Sequence, residues 1–269
     1  MVPWRGVSRV LRRSIGSGAA ALGLALAAAR AGGPAERFDV VVIDAGHGGE
    51  DKGAEAAGGL QEKRLALELA RGLSARLRRE GLRVVLTRED DRFVPLETRT
   101  HLANDARGDL FLSIHANAAA DAAVRGTETY FLSLDASDES ARRVAARENE
   151  SFSRAPPGAG PTGDPLLALL GDLMSTEHLA ESQEFARLAQ RELAGLEPTH
   201  SRGVKQAPFV VLMAVQMPAS LVEVGFLTNR EEARQLGQER HREALVEALA
   251  RAVEDFGRRY DAQRAEGSR

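Results

Sequence analysis

Two histidines in the sequence follow short apolar runs and are flanked by small residues. His47 comes after VVVID in VVIDAGHGGEDKGA, and His115 comes after LFLSI in LFLSIHANA. The glycines around His47 would let the backbone turn sharply and leave room for a metal ion. Glu62 opens a long stretch with helical periodicity soon afterwards. Two imidazoles and one carboxylate are a ligand set of catalytic zinc, so the sequence indicates a zinc site with an open fourth position.

A fourth candidate residue, Glu223, lies within the apolar run SLVEVGF. An ionised carboxylate is costly in a buried strand unless it has a partner or a chemical task. Zinc makes a bound water more acidic, and a free glutamate nearby can accept its proton and deliver it to a leaving amine. Glu223 is the candidate for this catalytic role. The alternatives are that the histidines are hydrogen-bonding loop residues and that Glu62 only complements a helix dipole.

Short apolar runs alternate with amphipathic helical segments along most of the chain. The clearest helical segment has Leu65, Leu69, Leu73 and Leu77 on one face and ends at Gly81. This alternation predicts an α/β fold: one domain with a twisted, mostly parallel mixed sheet of about six strands, covered by helices on both faces. The predicted strands are FDVVVIDAG, LRVVLTRE, LFLSIHANA, GTETYFLSL, PFVVLM and ASLVEVGF. Ligands of such sheets bind beyond the carboxyl ends of the strands, where both histidines are expected.

The first 31 residues have the pattern of an export signal. Four arginines precede the apolar stretch IGSGAAALGLALAAA, which is shorter than a membrane span, and small residues follow it. We expect residues 1–31 to be removed, which leaves no stable membrane span; a retained N-terminal anchor is the alternative. The pair of arginines leaves the Sec and twin-arginine routes both open.

The expected mature chain is acidic and contains no cysteine. Removal of residues 1–31 takes away five arginines and no acidic residue, which changes the formal charge from -3 to -8. Nucleic-acid binding needs a basic surface, so a nucleic-acid partner is not expected. Without cysteine there is no disulfide, thiolate nucleophile or thiolate metal site, and any metal must be held by histidine and carboxylate.

Residues 135–197 interrupt the alternation of strands and helices. The stretch RAPPGAGPTGDP separates two segments with helical periodicity. We interpret residues 135–197 as a helical insertion that is not needed to complete the sheet. The catalytic domain is then expected to span residues 38–260 and to be followed by a C-terminal tail, residues 261–269.

Six segments resemble, in order and spacing, the zinc-dependent N-acetylmuramoyl-L-alanine amidases of type 3, the family that includes division-associated cell-wall amidases. The segments are VVIDAGHGGEDKGA, EKRLALELARGL, TREDDRFVPLETRTHLAN, LFLSIHANA, GTETYFL and SLVEVGFLTNREEARQL. The resemblance covers residues 38–258. It implies zinc ligands at His47, Glu62 and His115 and a catalytic glutamate at Glu223. It also implies a peptidoglycan substrate, cut at the amide between the lactyl group of N-acetylmuramic acid and L-alanine of the stem peptide.

Asp44 and Asn117 lie close to the two histidines in the sequence. Both are candidates for outer residues that orient the metal ligands, as such ligands usually have hydrogen-bonding partners. The equally weighted alternative is that they only cap loops.

The resemblance also suggests how the enzyme is regulated. In division-associated members of the family, a helical insertion blocks the zinc site until an activator protein displaces it, and residues 135–197 occupy the corresponding place. Glu148 would then be an inhibitory carboxylate that reaches the zinc, and a deletion of residues 140–190 would be active. The alternative is that these helices lie on the surface and Glu148 is solvated.

These features together predict an exported, periplasmic peptidoglycan amidase with one zinc ion. Two other functions remain possible at this point: an exported zinc peptidase or amidase with another substrate, and a peptidoglycan-binding protein without catalysis.

Overall fold

The computed structural model describes residues 37–150, 176–196 and 200–267 of the chain. The expected export signal and the stretch RAPPGAGPTGDP lie outside the described residues.

One mixed sheet forms the centre of the described structure. Its strands are β1 (Val40–Ala45), β2 (Arg83–Leu86), β3 (Leu110–Asn117), β4 (Thr127–Leu132), β5 (Ser201–Ala207) and β6 (Ala219–Phe226). Their order in the sheet is β2-β1-β3-β6-β4-β5. Strand β1 pairs in parallel with β2 and β3, and β3 pairs in parallel with β6. Strands β4 and β5 are parallel to each other, but β4 is antiparallel to β6.

Helices cover both faces of this sheet, as the alternation of apolar runs predicts. The helices are α1 (Glu62–Arg79), α2 (Leu96–Asp105), α3 (Glu139–Glu148), α4 (Thr176–Ala194), α5 (Val210–Met213), α6 (Arg230–Leu236) and α7 (Glu239–Gly267). Along β1, Val41 and Ile43 join a core cluster with α1, α4 and α7, whereas Val42 faces a second cluster with α2, α3 and α5. The α/β fold with a mostly parallel mixed sheet is therefore confirmed.

One predicted strand was wrong. The run PFVVLM contains the short helix α5, in which Leu212 and the preceding Phe209 are buried in the second core cluster. The strand at this point is β5, with the sequence SRGVKQA. Strand β5 lies at the edge of the sheet and most of its residues are partly exposed, so it lacks the apolar run that marks a central strand.

Helix α4 belongs to the packed domain, although the sequence places it in the predicted insertion of residues 135–197. Its residues Phe185, Leu188, Ala189 and Leu193 are buried in the first core cluster. A deletion of residues 140–190 would remove most of this buried face. The prediction of a removable arm therefore does not hold for α4, since the helix covers one face of the sheet.

The C-terminal helix also extends further than predicted. Helix α7 continues through most of residues 261–269, the expected tail, and ends at Gly267. Asp261 holds this end against the start of the domain, because its Oδ1 accepts a hydrogen bond of 2.7 Å from the backbone N–H of Phe38.

Candidate metal and active site

Four side chains from four elements meet beyond the carboxyl ends of β1 and β3. His47 follows β1, Glu62 is the first residue of α1, His115 lies near the end of β3, and Glu148 is the last residue of α3. One donor atom from each residue lies within 4.8 Å of the donor atoms of the other three. The structure thus brings together the three predicted metal ligands and Glu148, the carboxylate that the resemblance suggested would reach the zinc.

The four donor atoms alternate between nitrogen and oxygen. His47 Nε2 lies 2.9 Å from Glu62 Oε1 and 3.1 Å from Glu148 Oε2. His115 Nδ1 lies 3.0 Å and 2.8 Å from the same two oxygens. Donors around a tetrahedral zinc ion lie about 3.4 Å apart, as bonds of ~2.1 Å require. The observed group is only a few tenths of an ångström tighter.

Two of the four donor atoms are oriented for a shared cation and not for hydrogen bonds between the residues, whereas His115 Nδ1 is aligned with Glu62 Oε1 at 3.0 Å. Within the described residues, neither His47 Nε2 nor Glu148 Oε2 has an aligned hydrogen-bonding partner, although both are buried and close to opposite charges. Buried polar atoms without partners are rare in folded proteins, which suggests that a ligand satisfies them. A set of two imidazoles and two carboxylates without sulfur suits zinc. The residues present therefore fit the predicted ion.

Two glycines make room for the donors. A Cβ atom at Gly46 would lie 2.4 Å from His115 Cε1, so the imidazole packs directly on the glycine backbone. Gly53 has a φ of 63°, and a Cβ there would lie 2.5 Å from Glu62 Oε2. These close approaches explain why a glycine-rich loop carries His47.

The His47 turn has supports that the sequence analysis missed. His47 itself has a φ of 59°, a conformation that needs support in a residue other than glycine. Its Nδ1 lies 3.0 Å from Asp51 Oδ2, and its carbonyl accepts a hydrogen bond of 2.8 Å from Arg99 Nη2. The carboxylate four residues after His47 in the sequence was the available signal for Asp51.

Asp44 lies behind this turn and contacts it through Arg99. The fully buried Asp44 carboxylate accepts hydrogen bonds from Thr87, Ser113 and Arg99, and the pair with Arg99 is 2.9 Å long. Burial acts to raise the pKa of Asp44, but Arg99 and the two hydroxyl groups outweigh it and hold the pKa below its usual value. The orienting role of Asp44 remains a prediction, with Arg99 as the group that would transmit it to His47.

A second buried arginine, Arg88, holds the same region. It donates to the carbonyl oxygens of Ala45 at 3.0 Å, Gly46 at 2.8 Å and Lys63 at 2.7 Å. Burial and the nearby Arg99 lower the pKa of Arg88 to about 10. An arginine in TREDDRFVPLETRT looks like a surface residue in the sequence. Only the resemblance of the whole segment to the family indicated that this region was of interest.

The charges in the donor group favour imidazolium and carboxylate when no ion is bound. Burial opposes the charge on His47, but the carboxylates of Glu62 and Glu148 outweigh it and hold the pKa of His47 well above its usual value. The same balance, with Glu148 first, raises the pKa of His115 to about 10. Burial opposes the ionisation of Glu62, yet the charge on His47 lowers its pKa to about 2. A cation would take over the role of these protons.

Glu223 lies beside the donor group on β6. It is fully buried, and its Cα is the cross-strand partner of His115 in the pairing of β3 with β6. Burial, together with the charge on Glu148, raises the pKa of Glu223 well above its usual value, and Arg147 opposes this only in part. An upward shift of this kind makes the protonated carboxyl easier to reach, which suits an acid or base in catalysis.

Arg147 connects Glu223 to α3, and the sequence analysis did not identify it. Its Nη2 lies 3.5 Å from Glu223 Oε1 and 2.7 Å from Glu148 Oε1. Its Nη1 donates to the side chain of Asn117 at 3.1 Å and to the carbonyl of Ala118 at 2.8 Å. The last turn of α3 therefore covers both the donor group and Glu223.

Asn117 takes part in a different network from the one expected. Its Nδ2 donates to Glu128 Oε2 at 3.0 Å, and its Oδ1 accepts from Arg147. Among the described residues, no hydrogen bond joins Asn117 to either histidine of the donor group. Its predicted part in orienting a ligand could act only indirectly, through Arg147 and the neighbouring backbone.

The comparisons with known proteins place this geometry in a family. Residues 41–255 match the family model described as N-acetylmuramoyl-L-alanine amidase. The chain belongs to this family. The family resemblance predicted from the six segments is therefore confirmed, and the chain is a member of a family of hydrolases.

Named relatives and solved structures agree with this assignment. The chain is 36% identical to the N-acetylmuramoyl-L-alanine amidase AmiC of Neisseria meningitidis over 222 residues, which cover 82% of this chain and 53% of that protein. It is 35% identical to AmiA of Escherichia coli, with 84% of this chain and 78% of that protein covered. The structure of AmiC2 of Nostoc punctiforme aligns with a TM-score of 0.62 at 28% identity, and the alignment covers 81% of this chain and 97% of that one. The chain thus spans about half the length of the Neisseria relative.

None of the helices in the described part of the chain is both long and apolar enough to cross a bilayer.

Proposed function

We propose that the protein is a zinc-dependent amidase that hydrolyses the bond between the lactyl group of N-acetylmuramic acid and L-alanine of the peptidoglycan stem peptide. The observation that carries this proposal is the meeting of His47, Glu62 and His115 beside the buried Glu223, in a chain of the N-acetylmuramoyl-L-alanine amidase family.

His47, Glu62 and His115 would hold the zinc ion. When bound, zinc acts as a Lewis acid that polarises the scissile carbonyl and makes water acidic. Asp51 and Arg99 support the His47 turn, so the first ligand is held before an ion arrives. The burial of the donor group lowers the local dielectric constant and strengthens each of these charge interactions.

Glu223 would move the proton in this reaction. It lies next to His115 in the sheet, and the upward shift of its pKa favours a side chain that can return a proton as well as accept one. It would accept the proton of the attacking water and deliver it to the departing nitrogen of L-alanine. Arg147 would have to leave Glu223 first, because its guanidinium lies 3.5 Å from the carboxylate.

Digestion of purified peptidoglycan tests the reaction. The parent enzyme carries Glu148→Gln, a change that we expect to release α3 from the donor group. We expect mass spectrometry to show intact stem peptides released by the parent, none after Glu223→Gln is added, and none from either after chelation. Glu243→Gln, an exposed charge loss on α7, is the matched control and should leave release unchanged. Cleavage of sugar chains or cuts within the stem would contradict the proposed reaction and favour another exported hydrolase. Binding to peptidoglycan without any cleavage would favour the non-catalytic alternative.

We further propose that α3 inhibits the enzyme. Glu148 Oε2 lies 2.8 Å from His115 Nδ1 and 3.1 Å from His47 Nε2, which is where an open ligand position would be needed for water. Arg147 of the same turn lies against Glu223, with its Nη2 3.5 Å from Glu223 Oε1. One helical turn therefore blocks both parts of the proposed reaction, and the small buried face of Ala141, Val144 and Ala145 holds it against the domain.

Loss of the Glu148 charge tests this inhibition. Removal of one partner from a buried ionic group costs about 3–5 kcal/mol, so Glu148→Gln should release α3 and raise the rate of stem release at least tenfold. Glu139→Gln removes an exposed charge from the first turn of the same helix and should change the rate little. A deletion that removes α3 and stops before α4 should be active as well. Unchanged activity in both of these variants would contradict the inhibitory role.

We also propose that the enzyme is exported to the periplasm, acts in daughter-cell separation and is switched on by an activator protein that displaces α3. The signal-like pattern of residues 1–31 and the location of peptidoglycan outside the cytoplasm support export. Mass spectrometry of the protein from periplasmic extracts should find a mature N-terminus close after residue 31. Recovery of the uncleaved chain in the membrane fraction would favour the retained anchor.

A further inference from the structure

A row of polar side chains runs from the donor group across the sheet to its edge, beneath α3. His115, Glu223 and Glu128 are cross-strand neighbours on β3, β6 and β4. Beyond them, Arg202 Nε and Lys205 Nζ of the edge strand β5 lie 2.7 Å and 2.9 Å from the same oxygen, Glu128 Oε1. The proposed hydrolysis uses the first two members of this row and gives the two cations no role.

The cation pair has more positive charge than Glu128 can balance. Glu128 is fully buried, and its carboxylate faces both Arg202 and Lys205. The second negative charge comes from α3, because Asp138 Oδ2 lies 3.2 Å from Lys205 Nζ. Asp138 also caps the helix, as its Oδ1 accepts from the backbone N–H of Ala141 at 2.7 Å. Departure of α3 would therefore leave an excess positive charge at this end of the row.

Helix α3 thus places one carboxylate at each end of the row. Glu148 at its C-terminus enters the donor group, and Asp138 before its first turn meets Lys205. A substrate that takes the place of α3 would be expected to have matching groups: an acyl oxygen at the donor group and a carboxylate at the cation pair.

The length of the row and the charge at its far end indicate which part of the substrate would lie along it. Neighbouring strands are about 4.8 Å apart, so Glu128 lies roughly 10 Å from His115 across the sheet. An extended peptide covers about 3.3–3.6 Å per residue, which puts the cation pair two to three residues beyond the scissile bond. The lactyl carboxyl of the sugar is consumed in the amide, whereas the stem peptide retains free carboxylates. The charged end of the row therefore suits the peptide and not the glycan.

We propose that Lys205 and Arg202 form a subsite for a free carboxylate on the second or third residue of the stem peptide, and that Asp138 fills this subsite while α3 is in place. This inference rests on the proposed amidase function. It makes the edge strand β5 a determinant of which peptidoglycan is cut.

Muropeptides that differ in one carboxylate test the subsite. The full-length Glu148→Gln enzyme is the parent, and the substrates carry a free carboxylate at both stem positions, or a carboxamide at the second or at the third. We expect the parent to prefer the fully free substrate at least tenfold over one of the amidated ones, mainly through KM, as hydrogen bonds to charged groups are worth about 1.5–3 kcal/mol. Lys205→Met should abolish this preference, and Lys205→Arg should retain it.

The design separates the subsite from folding and from the position of α3. The preference is a ratio of kcat/KM values for one enzyme, so the fraction of molecules with α3 displaced cancels. Arg202→Met, at a side chain that is 29% exposed, is a second variant that should reduce the same preference, and the thermal midpoint checks that both fold. Arg187→Met, an exposed charge loss on α4, is the matched control and should keep it.

Each outcome of this experiment is informative. No preference in the parent, or the same preference after Lys205→Met and Arg202→Met, would overturn the subsite while the amidase function stands. Absence of cleavage of every muropeptide by both the parent and the enzyme that lacks α3 would overturn the proposed function itself, and the subsite with it.

Discussion

Phe185→Ala should destabilise the whole domain, because α4 is part of its core. Phe185 is completely buried, and its ring packs edge-on against Phe256 of α7 with the centroids 5.6 Å apart. Truncation of a buried phenylalanine to alanine costs about 3–5 kcal/mol, from lost transfer energy and the cavity left behind. A domain of this kind has a free energy of unfolding of about 5–15 kcal/mol, so one such change is a large fraction of the total.

Val144→Ala in α3 is the matched comparison. Val144 is also buried, with 5% of its surface exposed, but it lies in the helix that we propose to be displaced. The change removes two methyl groups, worth about 1.5 kcal/mol of burial. If α3 opens while the rest stays folded, this energy shifts the opening equilibrium about tenfold and leaves the global unfolding midpoint nearly unchanged.

Urea unfolding followed by circular dichroism, together with stem release from dye-labelled peptidoglycan, measures both effects. We expect Phe185→Ala to lower the midpoint strongly without a gain in activity, and Val144→Ala to raise activity with a small shift of the midpoint. A Phe185→Ala protein within about 1 kcal/mol of wild type would refute the core role of α4. A Val144→Ala protein that loses stability without gaining activity would show that α3 is an integral part of the domain.

Three further predictions concern the donor group. Arg99→Lys keeps the charge but loses the pair of hydrogen bonds to the turn, so zinc affinity measured by competition with a chromophoric chelator should fall about tenfold or more; unchanged affinity would contradict its supporting role. Gly53→Ala should weaken zinc binding because its Cβ would lie 2.5 Å from Glu62 Oε2. Gly203→Ala is the control, since Gly203 has a φ of 88° and no atom lies within 4 Å of the added Cβ. This change should cost about 1–2 kcal/mol of stability and leave zinc binding intact. In the chelated protein, the folded-state pKa of His115 is raised from 6.5 to about 10, so its stabilising contribution is complete below pH 6.5 and is lost as the pH rises to 10. Urea titrations should show a loss on the order of 4 kcal/mol over this range, and stability independent of pH there would refute the charge assignment.

The positions of the ligand candidates could be predicted because they depend on a general rule of parallel sheets. His47 and His115 each follow an apolar run, and parallel strands bring their carboxyl ends to one edge. Glu62 starts the helix that returns from this edge, so its carboxylate points back to the same place. These three residues meet although 68 positions separate the first from the last. The order of secondary-structure elements was sufficient for this part of the site.

The supports of the site could not be predicted in the same way. Arg88 and Arg99 look like surface residues in the sequence, but both are buried because backbone carbonyls of the His47 turn surround their guanidinium groups. These carbonyls lie in and around a turn where His47 adopts a positive φ, which no pattern of residue types reveals. Arginine buried against the backbone becomes visible only when the conformation of the loop is known.

The division of residues 135–197 shows what helical periodicity leaves open. Both α3 and α4 are amphipathic and flank the proline-rich stretch, so helical periodicity alone assigns both of them to one insertion. The size of the buried residues separates them. Helix α4 buries phenylalanine and two leucines in the core, whereas α3 buries two alanines and one valine. By area, the α3 face contributes only a fraction of the burial of the α4 face. Ionic contacts at Asp138, Arg147 and Glu148 must therefore supply much of the attachment of α3. A helix held by charges over a small apolar face can leave without unfolding the domain, which is what an inhibitory helix requires.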